Sequence, residues 1–317
     1  MRRACVGRLS TSEVGGSRVA RCEGNDKVDF TYRQVSTEGL RPLGRGKSGT
    51  VYRVGDDKVV KIYHDGRGEL EVLRECLAAR LMEEADIRAM RLFGVVRSGE
   101  AFGLVYERLR GPSFRQLLFS ESAQIDEIAA LYARFMREGH QAVLSQDEGL
   151  SVRPMFERWA SSICVFSGEE RDAMHRALFQ IPDRPCLLHM DPTPENLLLL
   201  ADGSPAWIDL ESCGTGHPVF SLQALYFPDD VETIPGVSLD EAHVLRRFWH
   251  SFATHYFAGV DQSRMESIKR GIKVLAVFRA LGSIQDTVGD MPLFRAQASV
   301  LTKGLFRDIE QGLDYAW

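Results

Sequence analysis

Hydrophobic and polar residues alternate along the first third of the chain in short runs that are typical of β-strands. The segments TVYRV and KVVKIY stand on either side of a GDD turn and predict a β-hairpin. RLFGVVRSG and AFGLVYERL predict a second pair of strands, joined by a glycine-containing turn. Between the two pairs, leucines at positions 70, 73, 77 and 81 recur with helical spacing and predict a helix from Glu69 to about Glu84.

After Gly111 and Pro112 the pattern changes to long amphipathic segments. Helical periodicity predicts helices over residues 123–145, 151–166, 169–180, 240–258, 262–285 and 292–314. One segment departs from this pattern, CLLHMDPTPENLLLLADGSPAWIDLESCG, because its prolines at 192 and 194 exclude a regular helix. Two apolar runs around an Asp-Gly turn follow and predict a loop and then a β-hairpin.

These elements predict an α+β protein with two lobes and a hinge near residues 107–112. The N-lobe, residues 29–110, is expected to be a small antiparallel β-sheet with one helix. The C-lobe, residues 111–317, is expected to be larger and mostly helical. Residues 1–28 mix Gly, Ser, Arg and Glu without periodicity, so we expect a disordered leader there.

Composition narrows the class of protein. A chain of 317 residues with 44% hydrophobic content can bury a sizeable core, and its net charge of -5 disfavours a nucleic-acid partner. It has neither a signal peptide nor an apolar run long enough to cross a bilayer, so we expect a cytoplasmic protein that does not enter membranes. The six cysteines form no CxxC pair, which argues against a zinc site or a disulfide framework.

The segment LGRGKSGTVYRV carries glycines in a pattern associated with phosphate binding. A Walker P-loop is excluded by spacing, because Arg41 occupies the position where that motif needs a glycine. What remains is Gly44-x-Gly46-x-x-Gly49-x-Val51 between two strands, a turn that can fold its backbone N–H groups over a triphosphate. By itself this motif is more often a flexible hairpin.

Lys61 lies on the strand after the glycine hairpin and is either exposed on a strand face or turned inward to meet phosphate. The following helix offers a carboxylate partner. Glu75 shares its face with small and apolar residues, Ala78, Ala79 and Met82, which favours a buried position. Glu71, one turn earlier, is the rival candidate.

The segment HMDPTPENLLLLADGSPAWIDLE brings together the most informative polar residues. If the hairpin turns at residues 202–203, Asn196 lies opposite the neighbourhood of Asp209. Amide and carboxylate oxygens on separate strands are ligands that Mg²⁺ takes in nucleotide sites. Asp191 would then lie beside this pair and accept or orient the proton of an attacking hydroxyl. His189 is expected to fix the loop; each acidic or amide residue alone would more simply cap a turn.

Taken together, the glycine loop, the lysine, the helix glutamate, His-x-Asp-(x)4-Asn and Ile-Asp-x-Glu resemble the bilobal protein-kinase-like fold. HMDPTPEN followed by WIDLE is similar to the aminoglycoside phosphotransferase and choline kinase branch rather than to the eukaryotic protein kinases. The resemblance spans roughly Leu43 to Leu222. Two departures are Met190, where glycine or arginine is usual, and Ser221, where the family has an aspartate that braces the catalytic loop.

The resemblance implies ATP and Mg²⁺ as cofactors and in-line transfer of a phosphoryl group to the hydroxyl of an aminoglycoside-, choline- or sugar-like small molecule. In this resemblance, Gly44, Gly46, Gly49 and Val51 would cover the phosphates of ATP, and Lys61 would bind the α and β phosphates with Glu75 as its partner. Glu107, Arg108 and Leu109, after Tyr106, would frame the adenine. Asp191 and His189 would belong to the catalytic loop, and Asn196 and Asp209 would bind the metal.

The sequence gives weaker signals for the residues that bind the phosphate acceptor. The acidic groups of Asp229–Glu232, Glu211 and Asp240 could meet an amino-bearing substrate, or they could be solvated loop carboxylates. The aromatic segment Arg246–Phe257 predicts core. An atypical protein Ser/Thr kinase is disfavoured because Ser212–Ser221 is short for an activation segment. A non-catalytic nucleotide-binding protein is disfavoured because Asp191 and both metal candidates are retained.

Overall fold

The structure, a computed structural model, describes residues 32–64, 68–120, 124–142, 144, 150–227 and 238–289, and further on residues 292, 294, 295, 298, 302 and 304–317. The expected leader over residues 1–28 and the acidic segment 229–232 lie outside these ranges. The described residues form a six-stranded sheet with one helix, followed by a mostly helical region.

The N-lobe sheet has the strand order β1-β5-β6-β4-β3-β2. Its strands are β1 (Arg33–Gln34), β2 (Pro42–Arg45), β3 (Gly49–Val54), β4 (Lys58–Tyr63), β5 (Leu92–Ser98) and β6 (Ala101–Glu107). All neighbours pair antiparallel except β1, which pairs parallel with β5. Both hairpins expected from the alternating pattern are present, at the GDD turn and at Gly99.

Helix α1 (Glu69–Glu84) has the bounds that its periodicity predicted, but the leucines that marked it are not all buried. Leu70 and Leu73 are 66% and 55% exposed. The buried face instead carries Val72, Glu75, Ala78, Ala79, Leu81 and Met82. The helix therefore turns its smallest side chains and one carboxylate toward the sheet, which allows the helix and the sheet to approach closely.

Most helices of the C-lobe follow the predicted segments. Those at 114–120 and 219–222 were not predicted, and within the predicted segment 292–314 the structure gives a helix at 305–310. The helices are α2 (Phe114–Ser120), α3 (Ile125–Gln141), α4 (Arg153–Ser162), α5 (Gly168–Phe179), α6 (Val219–Leu222), α7 (Leu239–Tyr256), α8 (Gln262–Val288) and α9 (Leu305–Glu310). Helices α5 and α7 begin with capping boxes, in which Ser167 and Ser238 accept hydrogen bonds from the backbone of Glu170 and Glu241. None of the described helices is long and apolar enough to span a bilayer.

An aromatic cluster in the C-lobe surrounds Tyr132 of α3, which is fully buried. Its ring makes edge contacts with Phe114, Trp207, Phe248 and Phe252 at centroid distances of 5.3 to 6.0 Å. The aromatic residues of α7 therefore belong to the core, as their spacing predicted. The Tyr132 hydroxyl donates a hydrogen bond to the Pro192 carbonyl at 2.5 Å, so this core also holds the proline-rich loop.

Two short antiparallel pairs complete the C-lobe. The predicted hairpin consists of β8 (Leu197–Leu199) and β9 (Pro205–Trp207). A second pair, β7 (Cys186–Leu188) with β10 (Gly214–Gly216), was not predicted, because three-residue strands carry too little alternation to be recognised. The hairpin also joins the lobes, since Met90 N–H donates to the Trp207 carbonyl and Trp207 N–H to the Arg88 carbonyl, at 2.9 and 3.0 Å.

Candidate active site

The glycine loop is the turn between β2 and β3. Only Gly49 is required by packing there, because a Cβ atom would lie 2.6 Å from the Ile62 carbonyl oxygen. A Cβ at Gly44 would meet nothing within 4 Å, and one at Gly46 only the Gly49 oxygen at 3.8 Å. These two glycines therefore leave open space above the turn, which suits close approach of a ligand to the backbone. Val51 pairs with Gly44 on one side and Lys61 on the other.

Lys61 and Glu75 form the buried centre of the N-lobe. The ammonium group of Lys61 lies 3.1 Å from Glu75 Oε2, and the side chains are 7% and 0% exposed. Glu75 also accepts hydrogen bonds from the hydroxyls of Tyr63 and Tyr106, the latter at 2.8 Å. The rival Glu71 instead accepts a hydrogen bond from Gly68 N–H at 2.9 Å and caps the start of α1.

The ionisation of this centre follows from burial and charge. Burial opposes the charged form of Lys61, but the carboxylates of Glu75, Asp209 and Glu211 outweigh it and raise the pKa of Lys61. Burial, together with the Glu75 charge, raises the pKa values of Tyr63 and Tyr106. The lysine is therefore charged and both tyrosines are neutral donors at physiological pH.

The same lysine reaches across to the C-lobe. Its ammonium group lies 3.0 Å from Asp209 Oδ1 and 3.0 Å from Glu211 Oε2. Asp209 and Lys61 are 148 residues apart in sequence. The glycine-loop strand and the hairpin end of the C-lobe therefore share one site. Glu211, which was considered for acceptor binding, places its carboxylate on Lys61 instead.

The two metal candidates lie at the open end of the β8–β9 hairpin. The register places Asn196 opposite Ile208, one residue earlier than expected, and Ile208 N–H donates to the Asn196 carbonyl at 2.9 Å. Asp209 follows in the left-handed region, with φ of 57°. This conformation is uncommon for a residue other than glycine, and it occurs at sites where the surrounding structure imposes it. The Asp209 side chain is 49% exposed, so its carboxylate can accept a ligand.

Asn196 and Asp209 fit a divalent cation by the chemistry of their donor groups. The amide nitrogen of Asn196 donates to the carbonyl and to Oδ2 of Asp191, at 2.9 and 3.0 Å, which orients its amide oxygen away from Asp191. Among the residues described, no group of three or more His, Cys, Asp or Glu side chains could hold a metal ion. A Mg²⁺ held by this pair would take its other ligands from phosphate and water.

His189 fixes the loop that carries Asp191. Its Nε2–H donates to the Ile208 carbonyl at 3.1 Å, and its Nδ1 accepts from Asp191 N–H at 3.3 Å. Burial lowers the pKa of His189, which favours this neutral form. The ring stacks on Trp207 with a centroid distance of 4.4 Å. The side chain that was assigned a positioning role therefore connects the catalytic loop with the hairpin.

Ser221 stands where the family resemblance implied an aspartate that holds the loop, and it contacts the same loop. It is fully buried, and its hydroxyl donates a hydrogen bond to the His189 carbonyl at 2.7 Å. A serine here makes one neutral hydrogen bond to the loop, where a carboxylate would instead accept from backbone N–H groups. Ser221 therefore still contacts the loop, but as a hydrogen-bond donor where an aspartate would be an acceptor.

The segment expected to frame adenine, Glu107 to Leu109, forms several hydrogen bonds within the protein that were not predicted. Arg88 donates to both carboxylate oxygens of Glu107, at 3.0 and 2.7 Å, and these hydrogen bonds lower the pKa of Glu107. The backbone N–H groups of Glu107 and Arg108 donate to carbonyls of Arg91 and Asp57, both at 2.8 Å. Of these three residues, Glu107, Arg108 and Leu109, it is Leu109 whose backbone N–H donates to no backbone carbonyl among the residues described.

One residue near Asp191 carried no sequence signal. Arg279 of α8 places Nη2 3.5 Å from Asp191 Oδ1, and its side chain is 26% exposed. It stands in helix α8, 88 positions after Asp191, and no local motif marks it. Only the packing of α8 against the C-lobe brings it to the loop.

A buried lysine–glutamate pair in the sheet lobe, facing an aspartate and an asparagine on a C-lobe hairpin, defines the class of bilobal kinase-like proteins. The chain belongs to the phosphotransferase enzyme family (APH), whose sequence profile matches residues 39–253. A comparison with curated protein sequences found no match.

Solved structures support the fold. An ADP-bound aminoglycoside phosphotransferase, APH(2'')-Ib, is 16% identical, with a TM-score of 0.58 over 87% of this chain and 95% of that one. The amicoumacin kinase hAmiN, in complex with AMP-PNP, Ca²⁺ and Ami, is 14% identical, with a TM-score of 0.55 over 90% and 93%. Choline kinase LicA from Streptococcus pneumoniae is 15% identical, with a TM-score of 0.53 over 86% and 94%. These likenesses show the bilobal α+β fold.

Proposed function

We propose that the chain transfers the γ-phosphoryl group of ATP to a hydroxyl group of a small molecule, with Mg²⁺ as the metal cofactor. The observation that carries the proposal is the ion pair of Lys61 with Asp209 at 3.0 Å. It brings the expected phosphate ligand of the N-lobe to the expected metal ligand of the C-lobe. The ADP, AMP-PNP and small-molecule complexes among the similar structures support nucleotide use and a small acceptor.

In this proposal the nucleotide lies between the lobes. The backbone around Gly44 and Gly46 covers its phosphates, and Lys61 moves from Asp209 and Glu211 to the α and β phosphates while Glu75 holds its ammonium group. The linker contributes the Leu109 N–H toward the base. Asn196 and Asp209 hold Mg²⁺, which when bound neutralises phosphate charge.

The reaction is a single in-line displacement. The acceptor oxygen forms a bond to the γ-phosphorus as the bond to the β–γ bridging oxygen breaks, and that electron pair leaves with ADP. The hydroxyl proton passes to the carboxylate of Asp191, which Asn196 and His189 hold in place. Because this transition state is loose, positioning and charge neutralisation account for most of the catalysis.

Nucleotide binding is tested first by thermal unfolding with ATP, with and without Mg²⁺. We expect Mg·ATP to stabilise the chain, since a ligand that binds only the folded state raises its stability. Asp209→Asn should lose the Mg²⁺-dependent part of the shift. The matched control is Asp202→Asn in the turn of the same hairpin, where the carboxylate only accepts bonds from Ser204.

Phosphoryl transfer is tested with γ-labelled ATP and a panel of sugars, amino alcohols, aminoglycosides, hydroxy acids and generic protein substrates. We expect label on a small molecule, and we expect Asp191→Asn to bind ATP while losing at least about 100-fold in turnover. Label on protein substrates alone would contradict the small-molecule acceptor. Wild-type turnover by Asp191→Asn would contradict the catalytic role.

A further inference from the structure

The charge environment of Asp191 differs on its two carboxylate oxygens. Oδ2 accepts the hydrogen bond from Asn196 and therefore faces the metal candidates. Oδ1 faces Arg279, whose Nη2 lies 3.5 Å away. Since the two oxygens of a carboxylate point in different directions, Arg279 and Asn196 lie on different sides of Asp191. Under the proposed function, the hydroxyl to be phosphorylated approaches Asp191 from the side of Arg279.

Arg279 has most of its donors available on this side. A guanidinium group has five N–H donors, and among the described residues no carboxylate besides Asp191 lies within ion-pairing distance of it. The side chain is 26% exposed, and none of its nitrogen atoms is both buried and without a partner, so its unbonded donors are accessible to a ligand. Burial lowers the pKa of Arg279, and the neighbouring Asp191 opposes that effect. An arginine stays charged in proteins, so the site holds a weakly hydrated cation.

Three of the described acidic residues of the C-lobe, Glu195, Glu211 and Glu241, are already engaged by other cations. Arg115 lies 3.2 Å from Glu195, in the catalytic loop, and also pairs with Glu241 of α7. The carboxylate of Glu211 lies on Lys61. A cationic acceptor would therefore meet Arg279 beside the reacting carboxylate without a compensating anion among these residues.

We propose that the acceptor alcohol of this phosphotransferase carries an anionic group, a carboxylate or a phosphate, and that Arg279 binds it. The inference rests on the proposed phosphoryl transfer. The planar guanidinium fork matches both anions with two parallel hydrogen bonds. When the anion binds, Arg279 turns to it and leaves Asp191 Oδ1 for the acceptor hydroxyl. Amino-bearing and quaternary ammonium alcohols are disfavoured by repulsion from the same group.

A matched series of alcohols tests the inference on the wild-type chain. Glycerol 3-phosphate and glycerate carry an anion on the glycerol skeleton, glycerol is neutral, and 3-amino-1,2-propanediol is cationic. Each is measured as an acceptor of labelled phosphate, and each is titrated by thermal shift against the chain saturated with Mg²⁺ and non-hydrolysable AMP-PNP. Inorganic phosphate serves as the simplest anionic probe. We expect the anionic alcohols to bind most tightly and to accept labelled phosphate most efficiently.

Variants at position 279 test whether Arg279 is the cause of the preference for anionic alcohols. Arg279→Gln should weaken binding of phosphate and of the anionic alcohols by about 10-fold to 100-fold, the value of a lost charged hydrogen bond. Affinity for Mg·AMP-PNP and for glycerol should stay close to wild type. Arg279→Lys keeps the charge without the fork and should fall between. Lys269→Gln removes one charge about 15 Å earlier along α8 and should change nothing.

The outcomes separate this inference from the proposed function. If Mg·ATP binds and phosphate is transferred, but neutral or cationic alcohols are preferred, the anionic acceptor is wrong and phosphoryl transfer stands. The same holds if phosphate binds wild type and Arg279→Gln equally. If Mg·ATP does not bind at all, the proposed function fails first. The wild-type series remains decisive if Arg279→Gln does not fold.

Discussion

Replacement of Glu75 by glutamine should destabilise the N-lobe more than any equivalent change on the surface of α1. The side chain is completely buried and accepts hydrogen bonds from Lys61, Tyr63 and Tyr106. Each bond to a carboxylate is about 1 kcal/mol stronger than its neutral counterpart, so Glu75→Gln should lower the free energy of unfolding by about 3 kcal/mol. Lys61 keeps Asp209 and Glu211 as partners, so its charge remains compensated.

The matched control is Glu71→Gln, which makes the same chemical change one turn earlier on the same helix. Glu71 is half-buried and caps Gly68 N–H, so its loss should cost at most about 1 kcal/mol. Both variants are compared with wild type by urea denaturation of the full chain. Binding of Mg·ATP is measured alongside, and only Glu75→Gln should weaken it, because only Glu75 positions the lysine.

A double-mutant cycle tests the assignment to specific bonds. Tyr106→Phe removes one donor to Glu75, and the combination with Glu75→Gln should be less harmful than the sum of the single changes by about 1 kcal/mol. Strict additivity would show that the two groups do not interact. A Glu71→Gln variant as unstable as Glu75→Gln would refute the account of this helix.

Three further predictions follow from the C-lobe and the hinge. Ser221→Ala should lower kcat about 10-fold at unchanged affinity for ATP, because one hydrogen bond to the catalytic loop is lost; an unchanged steady-state kcat would contradict this. Burial lowers the pKa of His140 to about 3, of His217 to about 4, and that of His189 below its usual value. His140 and His217 therefore stay neutral in the folded state to well below pH 6.5, so unfolding should take up protons below about pH 6.5, and stability should fall toward pH 4 by up to about 1.4 kcal/mol per pH unit for each of these two histidines. His189 should contribute in the same direction. Urea denaturation at several pH values measures the slope, and a flat profile would contradict it. Gly111→Ala should destabilise by about 1 to 3 kcal/mol, since its Cβ would lie 2.0 Å from a backbone oxygen of the catalytic hairpin; a wild-type unfolding midpoint would contradict the close packing.

Several parts of the site could be predicted because they depend on local spacing. The glycine turn and the small-residue face of α1 that carries Glu75 each lie within one element, so local spacing indicates them. The same kind of spacing placed Lys61 on its strand but left open whether its side chain points inward. The hairpin after the proline loop was also predicted, because an Asp-Gly turn between apolar runs is a local signal. Its register was one residue off, because the turn is centred on Asp202, with Leu200 N–H donating to the Ser204 carbonyl, and not between residues 202 and 203.

Other parts could not be predicted from local spacing. The leucine spacing that predicted α1 did not show which leucines are buried, because hydrophobic residues are buried only where a neighbour covers them; Leu70 and Leu73 are exposed. The partners of Glu107 and Glu211 are arginine and lysine side chains from other elements. Such pairs leave no trace in the local pattern, so the Glu211 carboxylate was considered for acceptor binding and the Arg88 partner of Glu107 was not foreseen.

The order of motifs along the chain indicated the class of fold and the residues proposed to meet the nucleotide, because each motif needs only its own few neighbours to form. The charge proposed to face the acceptor depends on tertiary structure alone. Arg279 reaches Asp191 only because α8 packs beside the catalytic loop, and the electrostatic field at that point sums charges from distant segments. Coulomb interactions depend on distance in space and not on separation in sequence, which is why the sequence indicates the reaction more readily than the acceptor.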